Sequence, residues 1–253
     1  MVNLLPPNPR SGILACMIRP SPIALLRGLL LGAVIGAVPE TTPAQVIKTG
    51  PPSCPGVALT FDLCPVSKGA GYDKALMDYL IEHRIPATLF LSGKWIARHE
   101  AEVRNLVDIG LFEIGTHGDI HAHLPMHDEK EQRAEILRPV TVLREHYAHQ
   151  ASLFRPPYGE YNDLTVQVVK ALGLRFIQWN IESGDPDPTL STEQILTRVT
   201  QRAKPGSIIV FHANGKGKHT REVIEKLTHD VLPKKALKPM TVSDLLNCKP
   251  PVP

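Results

Sequence analysis

From residue 56 onward, short apolar runs alternate with amphipathic stretches. The runs Val57-Ala58-Leu59-Thr60-Phe61, Ala87-Thr88-Leu89-Phe90-Leu91, Leu111-Phe112-Glu113-Ile114, Leu174 through Trp179 and Ser207-Ile208-Ile209-Val210-Phe211 read as strands buried on both faces. Ser152-Leu153-Phe154 is a shorter candidate. Segments near 73–84, 95–108, 129–148, 162–172, 191–203 and 219–230 carry the spacing of amphipathic helices. Ser191, with Gln194 three residues on, is placed to cap the fifth of these. Gly110 and Gly173 each follow a helical pattern and precede a strand, as helix-ending glycines do. Repeated strand–helix alternation predicts an α/β fold, a parallel sheet covered by helices. Right-handed crossovers then allow an open doubly wound sheet or a closed barrel. The chain carries no internal repeat, and no glycine-rich phosphate loop follows the first strand, which ends Phe61-Asp62-Leu63-Cys64-Pro65.

Residues 1–44 differ in kind. Arg10, Arg19 and Arg27 precede the apolar stretch Gly28–Val38, and Thr42-Pro43-Ala44 offers small residues for cleavage before Gln45. The stretch is short for a permanent span, which needs roughly 20 apolar residues, and reads as a secretory signal, with an uncleaved anchor as the alternative. Met17 is an alternative start that would give the signal a more usual length. The expected organisation is a targeting segment at 1–44, a Pro-containing linker at 45–55, a catalytic-size domain at 56–247 and a tail at 248–253. The product would be exported to the periplasm or beyond, or membrane-anchored if the segment stays.

The 253 residues carry 28 basic and 25 acidic side chains, a net charge of +3. Losing residues 1–44 removes three arginines and Glu40, which leaves 25 minus 24, or +1. A near-neutral chain gives no electrostatic reason to expect a nucleic-acid partner. Cys54, Cys64 and Cys248 remain, and Cys54 and Cys248 lie near the two ends of the mature chain. A bridge between them suits an oxidising compartment and would leave Cys64 over; three reduced, inert thiols are the alternative.

In parallel α/β folds the chemistry collects at the C-terminal ends of the strands. Those ends deliver Asp62, His117 through His121, Arg155 through Gly159, Asn180 through Asp185, and His212. Ionisable groups at five apolar strand ends point to one binding or catalytic crevice. His117 and His121 are four apart, so on a helical turn both rings would face one metal ion. A metal there would polarise a carbonyl and lower the pKa of a water. Asp62 could take the proton of that water, His212 could protonate a leaving group, and Arg155 could hold Asp62 ionised. Each also has a structural alternative: a helix cap for Asp62, an ion pair for Arg155, a satisfied buried ring for His212.

Thr60-Phe61-Asp62, His117-Gly118-Asp119-Ile120-His121, Arg155-Pro156-Pro157-Tyr158-Gly159, Trp179 through Asp185, and Ile208 through His212 resemble the five ordered motifs of the polysaccharide deacetylase (NodB-homology) family. The resemblance runs from about residue 55 to 247. It implies an irregular (β/α) barrel and metal-dependent hydrolysis of carbon–nitrogen amide, or ester, acetyl groups on a polysaccharide or oligosaccharide. It also implies roles: Asp62 as base, His117 and His121 as ligands of a divalent ion such as zinc, and Arg155 as the residue that positions the base. The Tyr158 backbone N–H would face the oxyanion, Asp185 would orient the acid, and His212 would be that acid.

The chain departs from the family where a second aspartate, a metal ligand, would follow Asp62. That position is Leu63. Gly118 replaces a hydroxyl residue, Glu182 stands where an aspartate is common, and Pro186 where a tryptophan often follows. Three outcomes follow. Cys64 or Asp119 supplies a third ligand, although strand alternation would aim Cys64 away from Leu63 and a helical Asp119 would point away from the histidines. Or metal binds through two histidines and water. Or the chain binds carbohydrate without turning it over. Tyr158 and Trp179 are the aromatic residues expected to touch sugar, with core packing as the alternative for Trp179.

Overall fold

The computed structural model describes residues 45–248. The targeting segment expected at 1–44 and the end of the tail lie outside the described residues. Among the described residues no helix is long and apolar enough to cross a membrane.

The strands are β1 (Val46–Ile47), β2 (Gly56–Leu63), β3 (Ala87–Leu91), β4 (Phe112–Thr116), β5 (Leu153–Phe154), β6 (Arg175–Ile177), β7 (Ile181–Glu182), β8 (Ser207–His212) and β9 (Lys238–Met240). The helices are α1 (Lys74–Glu82), α2 (Gly93–Ile96), α3 (Glu100–Asp108), α4 (Glu129–Tyr147), α5 (Asp163–Ala171), α6 (Thr192–Arg202), α7 (Thr220–Lys226), α8 (Leu232–Lys234) and α9 (Val242–Leu246). The strand order is β1-β6-β5-β4-β3-β2-β8-β7, every named ladder is parallel, and β9 pairs with β2 off this path. The sheet curls as a barrel does, but β1 and β7 are not hydrogen-bonded to each other. This is the irregular (β/α) barrel expected.

Alternation along β2 divides the molecule. Val57, Leu59, Phe61 and Leu63 face outward into the main core with residues of the covering helices, including Leu76, Val103, Ile195 and Val223. Ala58 faces inward, where Phe90, Leu153, Ile177 and Ile208 meet Val242 and Leu245 of α9. That inner cluster fills the bottom of the barrel, and Thr60 and Asp62 continue the inward face toward the top. Cys54 and Cys248 are joined in a disulfide across a separation of 194 residues, which ties the segment before β2 to the end of α9.

Several elements differ from the sequence reading. The stretch 45–55 contains an edge strand, β1, rather than only a lead-in. The helix expected over 95–108 is two, because the His99 ring bonds Trp95 O and Ala70 O and holds a break between α2 and α3. The helix expected over 219–230 is α7 followed by a π-helical stretch at Leu227–Val231. Gly110 and Gly173 do end their helices with left-handed backbone, φ +63° and +71°, and Ser191 forms a full capping box with Gln194.

Candidate functional site

Five strand ends meet at the top of the barrel, around a cleft of about 250 Å³. Asp62, Cys64, His117, His121, Trp179 and His212 are among its lining residues. Asp62 and His212 are direct partners across the β2–β8 ladder, so parallel pairing alone sets the two side by side.

Asp62 is almost wholly buried, and its Oδ1 accepts from Arg155 Nη1 at 2.8 Å. Arg155 is fully buried; its Cζ lies 4.1 Å from the Phe90 ring centroid and 5.4 Å from that of Trp179. Burial alone would raise the Asp62 carboxyl, but the charge of the Arg155 guanidinium opposes it, and the carboxyl is held below its ordinary range. Asp62 Oδ2 is left facing the His117 ring, 3.7 Å from Nε2.

On the other wall, His212 Nδ1 is 3.0 Å from Asp185 Oδ1. The same carboxylate accepts from the His212 backbone N–H at 2.9 Å, the Thr220 hydroxyl at 2.7 Å and the Ser183 hydroxyl at 2.9 Å. Asp185 is therefore rigidly held. Burial disfavours the charged His212 ring, yet the hydrogen bond and charge of Asp185 outweigh it and raise the ring's pKa above the ordinary histidine value. Ser183 lies within the motif stretch Trp179–Asp185 but has no role assigned there, and Thr220 lies outside every motif; the fold brings both hydroxyls to Asp185.

His117 and His121 do come together, with ring centroids 5.0 Å apart. They do so on a loop and not on the helical turn that their spacing suggests. Gly118 (φ +70°) and His121 (φ +67°) both take left-handed backbone, which coils the segment until the rings converge. Glu135 on α4 holds that coil: its Oε1 accepts from the backbone N–H groups of Ile120 and Ala122, one on each side of His121, both at 3.0 Å. A Cβ at position 118 would lie 2.8 Å from Glu135 Oε1 and 3.0 Å from Pro157 Cγ. The glycine in the motif is thus required by the buried Glu135, a positioning residue invisible in the motif pattern. Asp119, weighed as a metal ligand, turns instead toward α4 and pairs with Arg138 at 3.2 Å.

His117 Nδ1 bonds the Arg155 carbonyl at 2.9 Å, which leaves Nε2 toward the cleft. Burial pulls both rings down, His121 to about 3 with the help of its neighbour His117, so both are neutral imidazoles fit to ligate. Position 63 cannot ligate: Leu63 is fully buried in the outer core. Cys64, expected to be aimed away from Leu63, is so aimed, and that is the reason it reaches the cleft. Leu63 faces outward, so the next residue returns to the inward face that Asp62 occupies. Donor atoms of Cys64, His117 and His121 all lie within 4.8 Å of one another. A tetrahedral zinc centre with bonds of about 2.0–2.3 Å sets its donors roughly 3.3–3.8 Å apart, so small side-chain adjustments close the three on one ion. The residues present fit a divalent metal.

Tyr158 is just over half exposed at the rim, with left-handed backbone at φ +59°. Its ring lies parallel to that of His123 at 4.1 Å and edge-on to His121 at 4.3 Å. Trp179 shares both expected roles: it lines the cleft and packs on the inner cluster. Lys216 and Glu182 add one charge of each sign to the lining.

The polysaccharide deacetylase family model matches residues 49–177, just over half of the chain. A peptidoglycan N-acetylglucosamine deacetylase of Bacillus cereus is 28% identical over 195 residues, covering 76% of this chain and 89% of that protein. A second B. cereus protein of the same description is 28% identical over 169 residues, covering 67% of this chain and 60% of its own length. The chain therefore spans less than two thirds of some curated relatives it matches. In structure, a CE4-family pseudoenzyme from Bacillus anthracis superposes with a TM-score of 0.73 at 23% identity, covering 82% of this chain and 70% of that one, a likeness of fold. The matched model takes in Asp62, His117, His121 and Arg155, and the barrel itself adds Asp185 and His212 on the facing wall; the chain belongs to the polysaccharide deacetylase family.

Proposed function

We propose that this protein is an exported, metal-dependent hydrolase that removes acetyl groups from N-acetylated sugars of a polysaccharide, with cell-wall glycan as the favoured substrate class. The observation that carries this reading is the two-walled cleft: a carboxylate paired with Arg155 faces a histidine hydrogen-bonded to Asp185, across a space bordered by the His117 and His121 rings. The disulfide between Cys54 and Cys248 supports export, because such bonds persist in oxidising compartments.

When bound by the His117 and His121 rings, a divalent cation of the zinc type would polarise the acetyl carbonyl and acidify the attacking water. Asp62 takes the water proton at Oδ2, the oxygen not engaged by Arg155. The Tyr158 backbone N–H stabilises the developing oxyanion. His212, its Nδ1 tied to Asp185, delivers a proton from Nε2 to the departing amine. Tyr158 and Trp179 supply ring faces for the sugar.

Full-length protein loaded with zinc or cobalt should release acetate from an N-acetylglucosamine oligomer or from peptidoglycan. A chelator should abolish that release, and re-addition of metal should restore it. Turnover that survives exhaustive chelation contradicts the metal-dependent reading. A second reading, a carbohydrate-binding relative without turnover, is favoured by one observation, the loss of a carboxylate at Leu63; glycan binding with no acetate released by the metal-loaded chain would establish it.

A further inference from the structure

The replacement of a ligand aspartate by leucine leaves a metal centre short of one donor and one negative charge. We infer that Cys64 Sγ supplies both, so that the centre is His117–His121–Cys64, a two-histidine, one-thiolate site.

Three observations carry this. The first is strand geometry. β2 remains regular through Leu63, with that residue paired to Leu91 in the β3 ladder and buried in the outer core. The inward face therefore passes from Asp62 to Cys64, two residues on. The second is proximity: Cys64, His117 and His121 form the group of His, Cys, Asp and Glu donors found close enough to share an ion among the described residues. The third is what the alternatives already do. Asp62 is paired with Arg155 through Oδ1 and its remaining Oδ2 is the base of the proposed reaction, and Asp119 is paired with Arg138. Cys54 and Cys248 are in the disulfide, so Cys64 is the described cysteine that retains a thiol.

Charge is conserved by the exchange. A thiolate, like a carboxylate, brings one negative charge to two neutral imidazoles and a divalent ion. Chemistry is not conserved. A soft sulfur donor favours zinc or cobalt(II) over magnesium or manganese, which prefer oxygen. Binding forms one metal–sulfur bond and breaks the S–H bond of a buried, neutral thiol, whose proton passes to solvent.

This inference rests on the proposal that a metal is bound at all, and the test separates the two. Metal-stripped full-length protein is titrated with cobalt(II), and the zinc form is examined by X-ray absorption at the zinc edge. The expected results are one ion per chain, a near-ultraviolet thiolate-to-cobalt charge-transfer band, and one sulfur scatterer at about 2.3 Å beside two imidazoles. Cys64→Ser should lose the band and bind zinc more weakly, by at least the roughly 10–100-fold typical of losing even an outer partner of a ligand. Cys64→Asp should bind the ion without the band. A wild-type centre with nitrogen and oxygen scatterers only overturns the thiolate ligand and leaves the hydrolase reading standing. No ion bound at either histidine overturns both. Because the wild-type spectrum decides the matter, the test holds even if a variant fails to fold.

Discussion

Asp62→Asn should reduce acetate release by about 10²–10⁴-fold, the range expected when a positioned general base is removed. The amide is nearly the same size as the carboxylate and can still accept from Arg155, so packing is kept, but the buried guanidinium loses its counter-charge and stability should fall as well, by up to about 3–5 kcal/mol. Zinc binding should persist, since His117, His121 and Cys64 are untouched. Steady-state kinetics alongside metal analysis checks both halves. A variant that keeps its metal and retains more than a tenth of wild-type turnover would show that some other group accepts the water proton.

Arg155→Met should have the largest effect on the fold itself. Arg155 is fully buried against Phe90 and Trp179 and is ion-paired to a buried carboxylate. Methionine fills much of the space but leaves Asp62 buried without its partner. Removing one member of such a pair costs about 3–5 kcal/mol, or roughly 2–4 °C in Tm per kcal/mol for a chain of this size. The pH dependence gives the cause away. In the wild type, the Asp62 carboxyl lies below its ordinary value. It therefore adds stability that is present above the unfolded-state value and lost as pH falls through the depressed one. Without Arg155, burial dominates and raises the carboxyl instead. The stability gap between wild type and variant should be widest at neutral pH and should narrow on acidification, as Asp62 takes up a proton. The acid limb of the variant's residual activity should move to higher pH for the same reason. Thermal denaturation across pH measures this. A gap independent of pH would mean that Arg155 acts only by packing.

Much of the barrel could be read from the chain because its central strands are short, continuous apolar runs. Ala87–Leu91 is a strand with those ends, and the run beginning at Ser207 extends one residue further, to His212. Strands such as β1, β7 and β9 could not be read the same way. Each is two or three residues long and exists because a neighbouring strand offers a parallel edge, which local pattern does not report. The site divides similarly. Asp62, Arg155 and His212 sit at strand ends, where position singled them out, and Asp185 took its role from the family motif it matches. Glu135 and Thr220 hold the site from positions outside every motif, and Ser183 from a motif position with no assigned role, through contacts made only after folding. The convergence of His117 and His121 followed from their spacing, but its geometry did not. Two left-handed residues bring the rings together, where a helical turn was expected. Cys64 shows the same limit. Alternation gave its direction correctly, and only the burial of Leu63 in the outer core shows that this direction leads into the cleft.

The pH–rate profile of acetate release, for the wild type and Asp185→Asn, tests most directly whether the two walls of the cleft act on one acetyl group. On the proposed mechanism the acid limb would belong to Asp62, which must be ionised, and the alkaline limb to His212, which must be protonated. Asp185 raises His212 through a 3.0 Å contact and does not touch Asp62. The expected result is a bell whose alkaline limb moves to lower pH in Asp185→Asn while its acid limb stays in place. An alkaline limb that does not move when Asp185 loses its charge would contradict the assignment of His212 as the acid.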